Sequence, residues 1–168
     1  MRTALIFIKK KLDKNTDHFL DNSQIHYLKK VIKLKGGEPL FIHDGEGSRY
    51  VCTFDGKNTV RINDAITKQR RFSITLLAPV LKKNQLEFML QKSVEIGVKN
   101  IYLYISKKSK NSFSFEREEN KMKRYDDIIT SAFLQSENFY KPNLNIVRSI
   151  MDFNFDVFGQ IIVLDQYS

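Results

Sequence analysis

Short runs of alternating apolar and polar residues fill the chain up to about residue 70. The runs are "TALIFI" (3–8), "PLFIHDGEGSRYVCTF" (39–54) and "NTVRINDAI" (58–66), and their period of two predicts β-strands. Asp44-Gly45 inside the second run predicts a tight hairpin, and "DGKN" (55–58) predicts the turn before the third. Several short strands with tight turns favour a small β-barrel over residues 1–70.

One helix interrupts these strands. The segment "QIHYLKKVIKL" (24–34) has helical spacing, which predicts that Ile25, Leu28 and Ile32 share a buried face. We expect Ser23 to be the N-cap and Gly36-Gly37 to end the helix.

The same register places His26, Lys29, Lys30 and Lys33 together on another face of the helix. Like charges at this spacing repel one another, and a phosphate backbone would relieve that repulsion while releasing counterions. A solvated lysine face is the alternative, and the spacing alone does not separate the two.

From about residue 72 the pattern changes to longer apolar and helical segments. In chain order they are a buried strand "SITLLAPV" (73–80), a helix "NQLEFMLQKSVEIG" (84–97), a strand "VKNIYLYIS" (98–106), one long helix (117–137), a short strand "LNIVRSI" (144–150) and a firmer strand "GQIIVLD" (159–165). Strands that alternate with helices predict an open α/β sheet with right-handed crossovers. "TKQRR" (67–71) is the expected joint between the two parts.

Composition narrows the class of protein. The chain has 168 residues and a formal charge of +9, which suits a polyanionic partner, although a lysine-rich composition alone would also give this charge. The longest uncharged apolar stretch, 72–81, is too short for a membrane helix. Cys52 is the only cysteine, so an internal disulfide and a cysteine-rich zinc site are excluded. We expect a cytoplasmic protein without a bound metal or a membrane partner.

Further polar residues stand where strands and helices end. Lys82 and Lys83 follow the first α/β strand, at the edge where such sheets bind ligands, although exposed loop lysines would look the same. Gln135 and Ser136 follow the buried stripe of the long helix, where capping is the ordinary explanation.

Glu95 is unexpected, because it stands two positions before the helix-ending Gly97 and helix C-termini disfavour carboxylates. We expect an organising salt link rather than a catalytic role. Lys92 looks like a poor partner, and Lys107 and Lys108 are the expected ones.

Three blocks together resemble one known family. They are "IHYLKKVIKLKGGEPLFIHDGEG" (25–47), "LEFMLQKSVEIGVKNIYLYIS" (86–106), and "KKSKNS" (107–112) followed by "KRYDDIITSAFLQSENFYKP" (123–142). In this order they resemble the bacterial 16S rRNA (uracil-N3)-methyltransferases, the RsmE-like family of the SPOUT, or trefoil-knot, superfamily. The "LQK--E-GV" and "QS" pieces are the most specific.

The resemblance implies an α+β protein in which a PUA-like, RNA-binding β-barrel (1–70) precedes the first part of a Rossmann-like, knotted SPOUT domain (72–168). It also implies methyl transfer from S-adenosylmethionine to N3 of a uridine in 16S rRNA of the small ribosomal subunit, by a homodimer. Glu95, Gly97, Gln135 and Ser136 match cofactor-edge positions, and Lys82, Lys108 and Gln135 are catalytic candidates. The RNA-binding candidates are Arg2, His26, Lys29, Lys30, Lys33 and Lys35.

The chain also departs from the family pattern. Lys108, Leu134 and Asn138 replace an arginine, a glutamate and an arginine. The family's G-P-E-G-G and L-G-x-x-I-L-R segments, which form the knot, do not occur in these residues. We therefore expect a fragment that alone binds S-adenosylmethionine weakly and transfers no methyl group. A non-catalytic RNA-binding module is the rival interpretation.

Overall fold

The computed structural model describes residues 4–107 and 113–164. The first part contains β1 (Ala4–Phe7), β2 (Asp17–Phe19), α1 (Asn22–His26), a π-helix (Tyr27–Ile32), β3 (Pro39–His43), β4 (Ser48–Phe54) and β5 (Thr59–Thr67). The second contains β6 (Thr75–Pro79), α2 (Lys83–Glu95), β7 (Asn100–Tyr104), α3 (Phe115–Glu119), α4 (Met122–Gln135), β8 (Asn143–Val147) and a 3₁₀ turn (Ile150–Asp152). Within these ranges, no helix combines the length and the apolar character that a bilayer span requires.

The first five strands form one mixed sheet in the order β1-β3-β4-β5-β2. β1 runs parallel to β3, and the other pairs are antiparallel. The predicted Asp44-Gly45 hairpin is confirmed, because Asp44 Oδ1 accepts the backbone N–H groups of Glu46 and Ser48 at 2.8 and 2.9 Å. β2 was not predicted, since three residues with exposed ends carry no readable period. Closure of this sheet into a barrel stays a prediction.

The helix begins at a different cap from the one expected. Asp21, not Ser23, is the N-cap: its Oδ1 accepts the N–H of Gln24 at 2.8 Å, and Gln24 Oε1 accepts the N–H of Asp21 at 2.9 Å. This reciprocal capping box needs a cap three residues before a Glu or Gln, and Gln24 therefore selects Asp21.

The helix also changes its winding after one turn. The N–H of Lys33 bonds to the carbonyl of Leu28, five residues back, and Lys33 adopts φ 60° and ends the helix before Gly36-Gly37 is reached. A π-turn has a wider spacing than an α-turn, so the predicted faces do not hold. Leu28 is fully buried, but Ile32 is 38% exposed.

The second sheet has the order β6-β7-β8, and all its strands are parallel, as predicted for an α/β arrangement. α2 and α4 pack on the face that carries Ile101 and Leu103. Each helix returns antiparallel to the strands. The start of α2 therefore lies at the carboxyl edge of the sheet, and the ends of α2 and α4 lie at the opposite, amino edge.

Two elements of the second part differ from prediction. The third strand is β8, whereas 159–164 forms no strand, and Ile161 to Leu164 are 54–91% exposed with no neighbouring strand among the described residues. The long helix is two helices, α3 and α4, broken at Asn120 and Lys121. Glu118, fully buried beside the break, accepts the Tyr125 hydroxyl at 2.5 Å and Lys121 Nζ at 2.8 Å.

Two hydrophobic cores result, one within each part of the chain. They meet at aromatic side chains: the ring of Phe133 lies edge-on to Phe7 at 5.7 Å and to His43 at 5.5 Å. This contact places the β3–β4 hairpin against the amino edge of the second sheet.

Candidate functional site

The first candidate surface consists of His26, Lys29, Lys30, Lys33 and Lys35, here called the cationic helix surface. All of these residues are exposed. The ion pairs of the described residues involve other side chains, so this charge is not neutralised locally. The π-helix spreads the cations more widely than the predicted single line. Arg2, the remaining RNA-binding candidate, lies outside the described residues.

The carboxyl edge of the second sheet holds Lys82. This exposed residue is the N-cap of α2 and makes no side-chain capping bond. A nearby cavity of about 180 Å³ is lined by Lys83, Glu118 and Lys121, among others. Ligand pockets are commonly about 300–1,000 Å³, so this cavity is small. Lys108, another of the catalytic candidates, lies outside the described residues.

Glu95 and Gly97 lie at the amino edge of the second sheet, not at its carboxyl edge, where open α/β sheets bind ligands. Glu95 is exposed, and its partners are Lys92 Nζ at 2.6 Å and Gln91 Nε2 at 2.9 Å. The expected salt link from Glu95 to Lys107 is therefore wrong, because Lys92, one helical turn before Glu95, is near enough to pair with it. The alternative partner, Lys108, lies outside the described residues. The hydrogen bond from Lys92, with that from Gln91, holds the pKa of Glu95 below its ordinary value.

Gly97 ends α2 as predicted. Its φ is +81°, its N–H bonds to the Val94 carbonyl at 3.0 Å, and the N–H of Val98 bonds to Ser93 at 3.0 Å, which is a Schellman ending. A Cβ at Gly97 would meet nothing within 4 Å, so the glycine is explained by its backbone conformation alone.

Gln135 and Ser136 mark the end of α4, at the same amino edge. Ser136 caps the helix, and its Oγ donates to the Phe133 carbonyl at 3.2 Å. Asn138 Nδ2 donates both to Ser136 Oγ at 3.0 Å and to the Val94 carbonyl at 2.7 Å, which ties the ends of α2 and α4 together. Sequence reasoning treated Asn138 only as a departure from the family pattern, and its neighbours in the chain carry no signal of this bridge.

The residues assigned by resemblance to the cofactor do not share a cavity. Glu95 and Ser136 are engaged in an ion pair and a helix cap, and Gln135 and Gly97 line different clefts. Lys82 and Gln135 are not brought together either, because they lie at opposite edges of the sheet and α2 alone spans roughly 20 Å. The described residues by themselves therefore do not form a binding site that fits S-adenosylmethionine.

A cleft of about 680 Å³ lies where the two sheets meet. We call it the junction cleft; it is lined by Lys68, Gln69, Arg70, Arg71, Phe72, Gly97, Glu137, Asn138, Phe139 and Tyr140. The hairpin closes one side through backbone bonds from Gly47 N–H to Phe139 and from Lys141 N–H to Gly45, both 2.9 Å. A Cβ at Gly47 would lie 2.6 Å from the Tyr140 hydroxyl, so this approach requires glycine.

Cations surround the junction cleft. Arg70 stacks on the Tyr140 ring at 4.3 Å and donates to the Gly97 carbonyl at 3.3 Å, and burial lowers its pKa. Lys68 Nζ lies 4.4 Å from the centre of the Phe139 ring. Glu137, the acidic residue in the lining, pairs with Arg49 at 3.3 Å. The joint was predicted at 67–71, but its residue pattern carries no indication of a cleft.

Comparison with protein families gives a match for most of the second part. Residues 68–166 match the family model described as an RNA methyltransferase domain. The matched region starts at the junction cleft and contains β6, β7, β8 and the helices between them.

Relatives and solved structures agree with this match. The chain is 31% identical over 161 residues to ribosomal RNA small subunit methyltransferase E of Buchnera aphidicola, covering 86% of this chain and 60% of that relative. For the protein of the same name from Mesomycoplasma hyopneumoniae, the identity is 34% over 135 residues, with 79% and 58% covered. The chain thus spans about three fifths of the length of these relatives.

The fold is shared with solved proteins. A ribosomal RNA small subunit methyltransferase E from Neisseria gonorrhoeae, bound to S-adenosylmethionine, superposes with a TM-score of 0.74 at 21% identity, covering 89% of this chain and 62% of that one. A putative methyltransferase from Legionella pneumophila, also with bound S-adenosylmethionine, gives 0.76 at 22% identity, with 88% and 64% covered.

Proposed function

The chain belongs to the RNA methyltransferase domain family and is RsmE-like, and we therefore propose that it takes part in methylating 16S rRNA at N3 of a uridine. The match of residues 68–166 to the family is the observation that carries the proposal. The names of the two relatives support the small-subunit rRNA as the substrate.

S-adenosylmethionine is the proposed methyl donor, supported by two neighbours of the same fold that bind it. When bound, its sulfonium supplies the electrophilic methyl group. The described residues contribute the sheet and the RNA-facing surfaces. A homodimer in the cytoplasm belongs to the same proposal and rests on the family resemblance.

The two parts of the chain have different roles in this proposal. We propose that residues 1–70 form a PUA-like RNA-binding module and that 72–168 belong to a SPOUT methyltransferase domain. The exposed, unneutralised cations of the cationic helix surface support the first assignment, since they suit contact with phosphates. The all-parallel β6-β7-β8 sheet supports the second.

Lys82 is the described catalytic candidate that lies at the carboxyl edge, where open α/β sheets bind ligands. Its ammonium group would stabilise the uracil oxygen as negative charge develops there while the N3 proton passes to solvent water. Lys108 remains a candidate outside the described residues. Gln135, at the other edge, is better placed to contact RNA than to act beside Lys82.

Primer extension on 16S rRNA tests the proposal. A methyl group at N3 occupies the Watson–Crick position, so reverse transcriptase stops there. We expect deletion of the coding region to remove one stop and the intact gene to restore it. Restoration should fail with Lys82→Ala and succeed with Lys99→Ala, which removes an exposed lysine at the opposite, amino edge of the sheet, as the control.

A stop that persists after deletion contradicts the methyltransferase proposal. If this chain nevertheless binds RNA, the non-catalytic RNA-binding module becomes the better description. The salt dependence of binding then separates an RNA module from a general lysine-rich surface, because phosphate contacts weaken binding steeply as salt rises.

A further inference from the structure

The junction cleft contains positive charge that forms no ion pair within the part of the chain that the structure describes. Arg71 is exposed and forms no hydrogen bond or ion pair within the described residues. Arg70, by contrast, stacks on the Tyr140 ring and donates a hydrogen bond to the Gly97 carbonyl. Glu137 forms an ion pair with Arg49. The acidic side chain in the lining is thus already paired, which leaves Arg71 without a partner among the described residues.

An uncovered aromatic ring stands next to this arginine. Phe72 is 63% exposed and has no ring contact within the described residues. A single exposed phenylalanine is unremarkable. Here, however, it lines the same cleft as Arg71, Lys68 and the exposed amide of Gln69. A flat apolar surface beside exposed cations is the combination that binds single-stranded nucleic acid, by stacking and by phosphate contact.

The shape of the cleft agrees with a chain-like ligand. Its volume of about 680 Å³ exceeds what one stacked base would need, and it lies between the two parts of the chain. Its walls are fixed, because Tyr140 donates to the Lys68 carbonyl at 2.7 Å and the hairpin bonds to Phe139 and Lys141. A preformed, rigid groove loses less entropy when it binds a ligand.

We propose that the junction cleft binds a single-stranded stretch of RNA, with a phosphate on Arg71 and Lys68 and a base stacked on Phe72. This inference rests on the proposed function, because RNA is the substrate named there. It adds a second contact region, separate from the cationic helix surface, at the joint that leads into the methyltransferase domain. The splayed bases of single strands are the part of RNA that side chains read most readily.

Fluorescence anisotropy with this 168-residue chain and a labelled single-stranded oligouridine of about 12 nucleotides tests the proposal. We expect Arg71→Gln to reduce the slope of log affinity against log salt by about 0.7, the value for one phosphate on a single strand. Phe72→Ala should weaken binding about fivefold or more with an unchanged slope, and Phe72→Tyr should retain affinity, since stacking does not depend on charge.

Lys123→Gln is the matched control. It removes one exposed charge that has no partner among the described residues, at the start of α4 and away from the cleft. The proposal is overturned if Arg71→Gln and Lys123→Gln give the same slope, if Phe72→Ala binds as the parent does, or if an RNA duplex of equal length binds as well as the single strand.

The primer-extension assay and the anisotropy assay test the two proposals independently, so a negative result in one does not decide the other. RNA binding that is indifferent to Arg71 and Phe72 overturns the cleft alone and leaves the methyltransferase proposal in place. A persistent stop in 16S rRNA overturns the methyltransferase proposal, whatever the cleft binds. A chain that binds no RNA overturns the cleft directly.

Discussion

His43 is fully buried at the meeting point of the two cores, and its two ring nitrogens have different surroundings. Nδ1 lies 3.0 Å from the Asn138 carbonyl, whereas Nε2 has no hydrogen-bond partner within the described residues. A proton on Nε2 would therefore be a buried donor without an acceptor. Burial is the main cause that lowers the pKa of His43 from its ordinary value of 6.5, and the Asn138 carbonyl opposes it.

This environment makes folding stability depend on pH. Because the pKa is lower in the folded state, the unfolded chain binds more protons as the pH drops below about 6.5. The stabilising effect of neutral His43 is thus complete above that pH and is lost as the pH falls through the folded-state pKa. We expect the free energy of unfolding to decrease from about pH 7.5 to about pH 5.5.

Urea unfolding followed by circular dichroism at both pH values measures this decrease. In His43→Gln the decrease should be smaller, whatever the absolute stability of the variant. His18, whose pKa is also lowered mainly by burial, remains in both proteins and accounts for part of the residual dependence. The exposed His26→Gln is the control, and an equal pH dependence in His43→Gln and the parent would disprove the assignment.

At the scale of elements, the start of α1 gives a direct comparison of two caps. Asp21→Ala removes the acceptor for the Gln24 N–H and should cost about 0.5–2 kcal/mol of unfolding free energy. Ser23→Ala, at the cap expected from the sequence, should change it by less than about 0.5 kcal/mol. Urea titration measures both. Equal losses, or a larger loss for Ser23→Ala, would show that the helix begins elsewhere.

The cationic helix surface carries a second element-scale prediction. Lys29→Gln and Lys30→Gln should each reduce the salt slope of RNA binding by roughly 0.7–0.9, because each lysine faces solvent without an acidic partner among the described residues. The helix should keep its stability, since the substitutions also relieve like-charge repulsion. Affinity that falls without any change in slope would instead indicate a disturbed structure.

Elements with several periods of apolar residues, or with a strong turn beside them, were the easiest to predict from the sequence. β3, β4, β5, β6, α2 and β7 carry several periods or a strong turn, and their existence was predicted correctly. The π-turn at Lys33 and the break before Met122 depend on local hydrogen bonds that periodicity does not report. The run at 159–164 is apolar enough for a strand, but a strand also needs a neighbour, which no sequence period supplies.

The candidate site was less predictable than the fold for the same reason. Residues near the ends of elements were identified, but the edge to which Glu95 belongs depends on the direction of α2 across the sheet. The junction cleft combines 68–72 with 137–140, which are distant in the chain. Only the packing of the hairpin against the amino edge brings them together.

At the scale of the whole molecule, the two sheets are joined by a small polar and aromatic junction centred on Arg49. Its guanidinium donates to the Glu137 carbonyl at 3.1 Å and lies 4.8 Å from the Phe139 ring, with the side chain 15% exposed. Each sheet has its own hydrophobic core, so we expect loss of the Arg49 contacts to loosen the junction without unfolding either sheet.

Hydrogen exchange can detect such loosening in Arg49→Leu. The amides of Gly47 and Lys141 bond across the junction, to Phe139 and Gly45, and should exchange faster in the variant. Amides within β4, β5 and β7 should keep their protection, because their bonds lie inside a single sheet. Arg61→Leu, which breaks only an exposed pair with Asp17 at 3.2 Å, is the control and should leave both amides unchanged. Faster exchange throughout the chain would mean that the two sheets unfold as one unit and that Arg49 stabilises the whole molecule rather than its joint.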